Sequence, residues 1–67
     1  MDDESQIATF IFQGVRADGG VAPMDVVPCA GRRAAVARAK AWLAQHRSCA
    51  RVQIWRDGVL IEEVAAS

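Results

Sequence analysis

These 67 residues contain no tyrosine and one histidine, with two each of cysteine, proline, tryptophan and phenylalanine. Each scarcity removes an option. One histidine and two cysteines, the latter near opposite ends of a predicted helix, cannot assemble a four-ligand zinc site in one chain, so no metal is expected. The helix of about 17 residues between Cys29 and Cys49 would hold them about 25 Å apart. That is too far for a disulfide, so both are read as free thiols in a reducing compartment. The aromatic-rich pattern of RNA-recognition sheets is missing, as is their second helix. Asp18-Gly19-Gly20 fits neither a Walker loop nor a dinucleotide fingerprint, and no cofactor is expected. No apolar run approaches the ~18 residues that span a membrane. Met1-Asp2-Asp3-Glu4 is acidic where a secretory signal is positive, so a cytoplasmic location is expected.

What is present points to a small folded domain. Apolar residues make up 52% of the chain, which places it among globular rather than disordered sequences. A domain of this length buries only about 60% of the surface its unfolded chain exposes, so a partner or second copy would add stability. Eight basic and eight acidic side chains cancel, but they are segregated. Residues 1–28 carry five acids and one base, residues 29–56 seven bases and no acid, and residues 57–67 three acids. The middle third is a basic block.

Ile7 to Val15 alternates, with Ala8, Phe10 and Phe12 on one side and Ile7, Thr9, Ile11 and Gln13 on the other, which reads as a strand. Ala17-Asp18-Gly19-Gly20 supplies a hairpin turn into a second strand, Val21 to Val27. Pro23 cannot donate to a ladder and makes that strand an edge. Residues 31–47 are rich in strong helix formers without internal Gly or Pro. Trp42, Ala35, His46, Ala39, Leu43 and Val36 share an arc of about 120°, the width of a core-facing stripe. Asp57-Gly58 between Ala50–Arg56 and Val59–Val64 is a type I′ hairpin signal. A two-residue loop pairs Trp55 with Leu60, Ile54 with Ile61 and Val52 with Glu63. Val52, Ile54, Val59 and Ile61 are then given to the core, leaving Arg51, Gln53, Trp55, Leu60, Glu62 and Val64 on the other face.

The expectation is an α+β fold, ββαββ, with a four-stranded antiparallel sheet in order 2-1-3-4 and one helix on one face. Residues 6–64 form the single domain, between an acidic, flexible N-terminus (1–5) and a C-terminal tail (65–67).

Four features break local rules and are candidates for function. One helix covers one sheet face, so Ile11, Trp55, Leu60 and Val64, rimmed by Arg51 and Gln53, form an apolar patch of the kind that marks a protein interface, unless a terminal segment folds over it or the strand parity is shifted by one residue. Gly31-Arg32-Arg33 opens the helix without a capping side chain. An anion there would meet free N–H groups and two guanidinium forks, although Asp25 or the acidic tail could pair with the arginines instead. Ala34, Ala37, Ala41 and Ala44 suit either close helix packing or plain solvent exposure, and the second reading is preferred. His46 and Cys49 could be written as a base and nucleophile, but no third group orients the imidazole, and a space-filling role is preferred.

From Ala34 to Glu63 the chain resembles a class of short bacterial proteins in which a helix ends in a Leu-x-x-His step and a strand ends in tryptophan before a tight turn. The matching residues are Leu43, His46, Val52, Ile54, Trp55 and Gly58. The resemblance implies a helix-plus-hairpin architecture and carries no activity.

The first expectation is a non-enzymatic module that pairs with itself as a homodimer, or with another protein, through the open sheet face. The alternative is anion or nucleic-acid binding through Arg32, Arg33, Lys40, Arg47 and Arg51.

Overall fold

The alternation along the first strand sets the two faces of the sheet, and everything else packs by reference to it. A computed structural model of the chain describes residues 7–66. Its elements are β1 (Ala8–Arg16), β2 (Val21–Cys29), α1 (Arg32–Gln45), β3 (Cys49–Arg56) and β4 (Val59–Ala65). The strands form one antiparallel sheet in the order β2-β1-β3-β4. The expected ββαββ architecture and strand order are both observed. The acidic segment 1–5 lies outside the described residues. At the other end, β4 includes Ala65, and Ala66 N–H donates to the Ala50 carbonyl at 2.8 Å, so residues assigned to a tail extend the sheet.

Phe10 and Phe12 on β1, Val52 and Ile54 on β3, and Ala35, Ala39, Trp42 and Leu43 on α1 form the core, joined by Val27, Cys29, Cys49 and Val64. The helix lies over β3 and reaches β2 and β4 on either side. Its core-facing stripe follows the predicted arc, with Val36 and His46 half-buried at the margins. The helix stops two residues before Arg47. His46 leaves helical geometry (φ −118°, ψ 72°) and folds its ring back onto Trp42, with centroids 3.8 Å apart and planes at 17°.

Glycine is required at one point in the core. A Cβ on Gly14 would stand 2.7 Å from Cys49 Sγ and 2.9 Å from Trp42 Cη2, so the indole and thiol close over bare backbone. Trp42 fixes itself there through its Nε1–H, which donates to Asp25 Oδ2 at 2.7 Å, and through edge-on contact with Phe12. At the opposite end of the sheet, Arg56 places its guanidinium 5.6 Å from the centre of the Phe10 ring.

The turns follow their chemistry. Asp57 and Gly58 both have positive φ (53° and 78°), as a type I′ hairpin demands. In the first hairpin Gly19 takes the left-handed position (φ 86°), and Asp18 Oδ1 accepts from Gly20 N–H at 2.8 Å. β2 is an edge, as Pro23 required, and the register slips between Gln13 and Val15, opposite the Ala22-Pro23 step.

A bulge overturns part of the second hairpin. Trp55 pairs with Leu60, but Ile54 pairs with Glu62 rather than Ile61, and Val52 with Val64 rather than Glu63. Ile61 is the extra residue, so every β4 side chain beyond it changes face. Val64 is consequently a core residue, 8% exposed, and does not belong to the open face. Val59, given to the core by unbroken alternation, is exposed.

Candidate functional site

The registers of the four strands bring one apolar row to the helix-free face. Ile11 pairs with Val26 on one side and with Trp55 on the other, and Trp55 pairs with Leu60. Paired residues share a face, so Val26, Ile11, Trp55 and Leu60 run straight across β2, β1, β3 and β4, about 14 Å from first to last. Met24 adjoins the row through its pairing with Gln13. Val26 is 64% exposed, Met24 57% and Leu60 43%, which is unusual for side chains of that size on one continuous surface.

Beside the apolar row lies a polar one, Gln13, Gln53 and Glu63, with Arg51 next along β3. Glu63 Oε2 accepts from Arg51 Nε at 3.0 Å and from Gln53 Nε2 at 3.4 Å, and Gln53 Oε1 accepts from Trp55 Nε1 at 3.3 Å. Gln13 Nε2 donates to the Ala22 carbonyl at 3.0 Å. The indole is therefore held by its polar edge while its ring lies on the surface. Ile11, Trp55, Leu60, Arg51 and Gln53 are brought together as expected, while Val64 is withdrawn by the bulge. Sequence reasoning missed Val26 and Met24. Alternation about the buried Val27 would have turned both outward, but their placement beside Ile11 and Gln13 depends on a register that no local pattern gives.

The basic block is divided between the two faces. Arg51 is on the open face with Glu63, and Arg32 pairs with Glu62 across the helix–β4 gap. Neither Arg32 nor Arg33 meets Asp25, whose carboxylate instead takes the Trp42 indole. Gly31 is the N-cap with φ 105°, and no side chain caps the helix. Arg32, Arg33 and Lys40 line a depression with Val36 and Ala37, and Lys40 also lines a second with Ala44, Arg47 and Ala65.

The Trp42 carbonyl 2.8 Å from His46 Nδ1 can only accept, so in this hydrogen bond that nitrogen is the donor, while the Cys49 sulfur is packed toward Gly14 and no hydrogen bond joins it to the imidazole. Cys29 and Cys49 are both free and buried. Ala34 packs against the core and Ala37, Ala41 and Ala44 face solvent. Among the described residues no three His, Cys, Asp or Glu side chains are grouped as metal ligands, and no helix is long and apolar enough to cross a membrane. Comparison with protein-family models, with curated proteins and with solved structures gave no match.

Proposed function

We propose that this chain is a small, non-enzymatic interaction module whose open sheet face pairs with the same face of a second copy. The observation that carries the reading is the unbroken row Val26–Ile11–Trp55–Leu60 on the face the helix leaves uncovered. A row crossing the sheet at right angles to its strands maps onto itself under a two-fold axis, which is the symmetry of an isologous dimer. Its one acid and one base, Glu63 and Arg51, already neutralise each other, so a second copy meets no net charge. Four strands about 4.8 Å apart and about eight residues long give roughly 500 Å² of flat projection. Two such faces, with side-chain relief, reach the lower range of specific interfaces, near 1,200 Å² in total. Trp55 stands near the middle of the row and Leu60 at its β4 end, and both serve as anchors, because large apolar groups contribute most where water is excluded. The helices would then face outward on both sides of the dimer.

Sedimentation equilibrium at low and high salt tests this reading. A dimer that persists at high salt, and that dissociates in Leu60→Lys and Trp55→Gln variants with unchanged far-UV circular dichroism, is the expected result. A monomer at all accessible concentrations would refute self-pairing. Collapse of the Trp55→Gln fold would show that Trp55 supports the core; Leu60→Lys, at a more exposed position, would still report on the face alone.

A further inference from the structure

Seven cations and no anion lie between residues 29 and 56, but they are not equivalent once folded. Arg32, Arg51 and Arg56 each have a carboxylate beside them, from Glu62, Glu63 and Asp57 respectively. Arg33, Arg38, Lys40 and Arg47 are exposed and have no carboxylate partner among the described residues. Of these, Arg33, Lys40 and Arg47 line two depressions of about 680 and 580 Å³ that share Lys40. Ala37 lies between Arg33 and Lys40, and Ala44 between Lys40 and Arg47, so short side chains separate the cations along this trough.

We propose that this trough binds the phosphate backbone of double-stranded nucleic acid without reading its sequence. Arg33 and Lys40 are seven residues apart, about 10.5 Å along the helix, and Arg47 extends the series past the helix end. One phosphate cannot touch all three, whereas a repeating anion can. Two of the three are arginines, whose planar forks match phosphate oxygens. The flank presents no aromatic ring on which an unstacked base could lie, so a duplex backbone is favoured over a single strand. It also lacks the exposed Trp, Phe or Leu that an interfacial helix inserts into lipid, and alanines occupy those positions. The trough runs along the helix flank beside the end of β4, and Arg33 and Lys40 lie on the helix side of the sheet, so a sheet-to-sheet dimer leaves them accessible and the two proposals stand or fall separately.

Fluorescence anisotropy with a labelled duplex provides the test. Neutralising three phosphates gives a log–log salt slope of about −2.7, so affinity should fall about 40-fold between 50 and 200 mM salt. The Arg33→Gln/Lys40→Gln/Arg47→Gln variant, folded by circular dichroism, should lose binding, while Arg51→Gln on the other face should retain it. A single strand of equal length should bind no more tightly than the duplex. No duplex binding at 50 mM salt, a flat salt dependence, or full binding by the triple variant would overturn the proposal. So would capture by phosphatidylserine vesicles without capture by the duplex.

Discussion

Trp42 and Trp55 lie on opposite sides of one sheet and show how differently its faces are used. Trp42 is enclosed by Gly14, Phe12, His46 and Cys49, with its indole N–H fixed to Asp25. Trp55 lies half-buried in a row that ends in exposed Val26 and Leu60, with its indole N–H only 3.3 Å from a neighbouring glutamine oxygen. One face has spent its apolar area on folding, and the other still carries area whose removal from water would be favourable at roughly 25 cal/mol per Å². The comparison teaches that in a domain with a single helix, apolar side chains divide into those that make the fold and those left for a partner.

The sharpest way to break that comparison is to truncate matched residues on the two faces. Phe12→Ala removes a ring that is 1% exposed and should cost about 3–5 kcal/mol. A domain of this length has only about 3–10 kcal/mol in total, so urea denaturation should find the variant largely or wholly unfolded. Leu60→Ala on the open face should leave the stability of the monomer nearly unchanged. Equal losses would mean that the open face is part of the fold.

A smaller effect is expected at the contact that seats Trp42. Gly14→Ala forces a methyl against Cys49 Sγ and the indole, and should destabilise by about 1–3 kcal/mol. Adding Cys49→Ala should recover part of the loss, because it removes the nearer of the two atoms. Thermal melts of the single and double variants measure both steps.

Alkaline pH probes the covered face through Cys29. Burial pushes the Cys29 thiol up, against a smaller opposing pull from Arg38. A folded-state value above the unfolded one means that the native chain keeps a proton the unfolded chain has released. This thiol's contribution to stability is therefore full below its ordinary value of 9.0 and is lost as pH rises through the folded-state value. Denaturation midpoints across this window should fall for the wild type and fall less for Cys29→Ala. The smallest effect belongs to the exposed Arg32–Glu62 pair, where Glu62→Gln should change stability by only a few tenths of a kcal/mol, with a still smaller change at high salt.

The division between the faces was legible wherever one strand could be read alone. Phe10 and Phe12 went inward and Ile11 outward from alternation, and Trp42, Leu43, Ala35 and Ala39 fell on one helical arc. Val64 was misplaced because the extra residue at Ile61 has no local signature: Leu60, Ile61 and Glu62 read as ordinary alternation. A bulge is adopted when it improves packing across the sheet, and here it delivers Val64 opposite Val52 and beneath the helix. The neutralised arginines were hidden for a related reason, since Arg32 and Glu62 are separated by thirty residues and meet only after the helix has crossed the sheet.

By itself the sequence determined the element order, the edge character of β2, the type I′ turn at Asp57-Gly58 and the identity of most of the core. Those depend on periods of 2 and 3.6 and on the backbone preferences of Gly and Pro, which act within a few residues. Only the tertiary structure decided which β4 side chains reach the core, which apolar residues line up across four strands, and which cations find a carboxylate. Those depend on register and on contacts between distant segments, where packing of the whole domain selects among arrangements that local preference leaves equal.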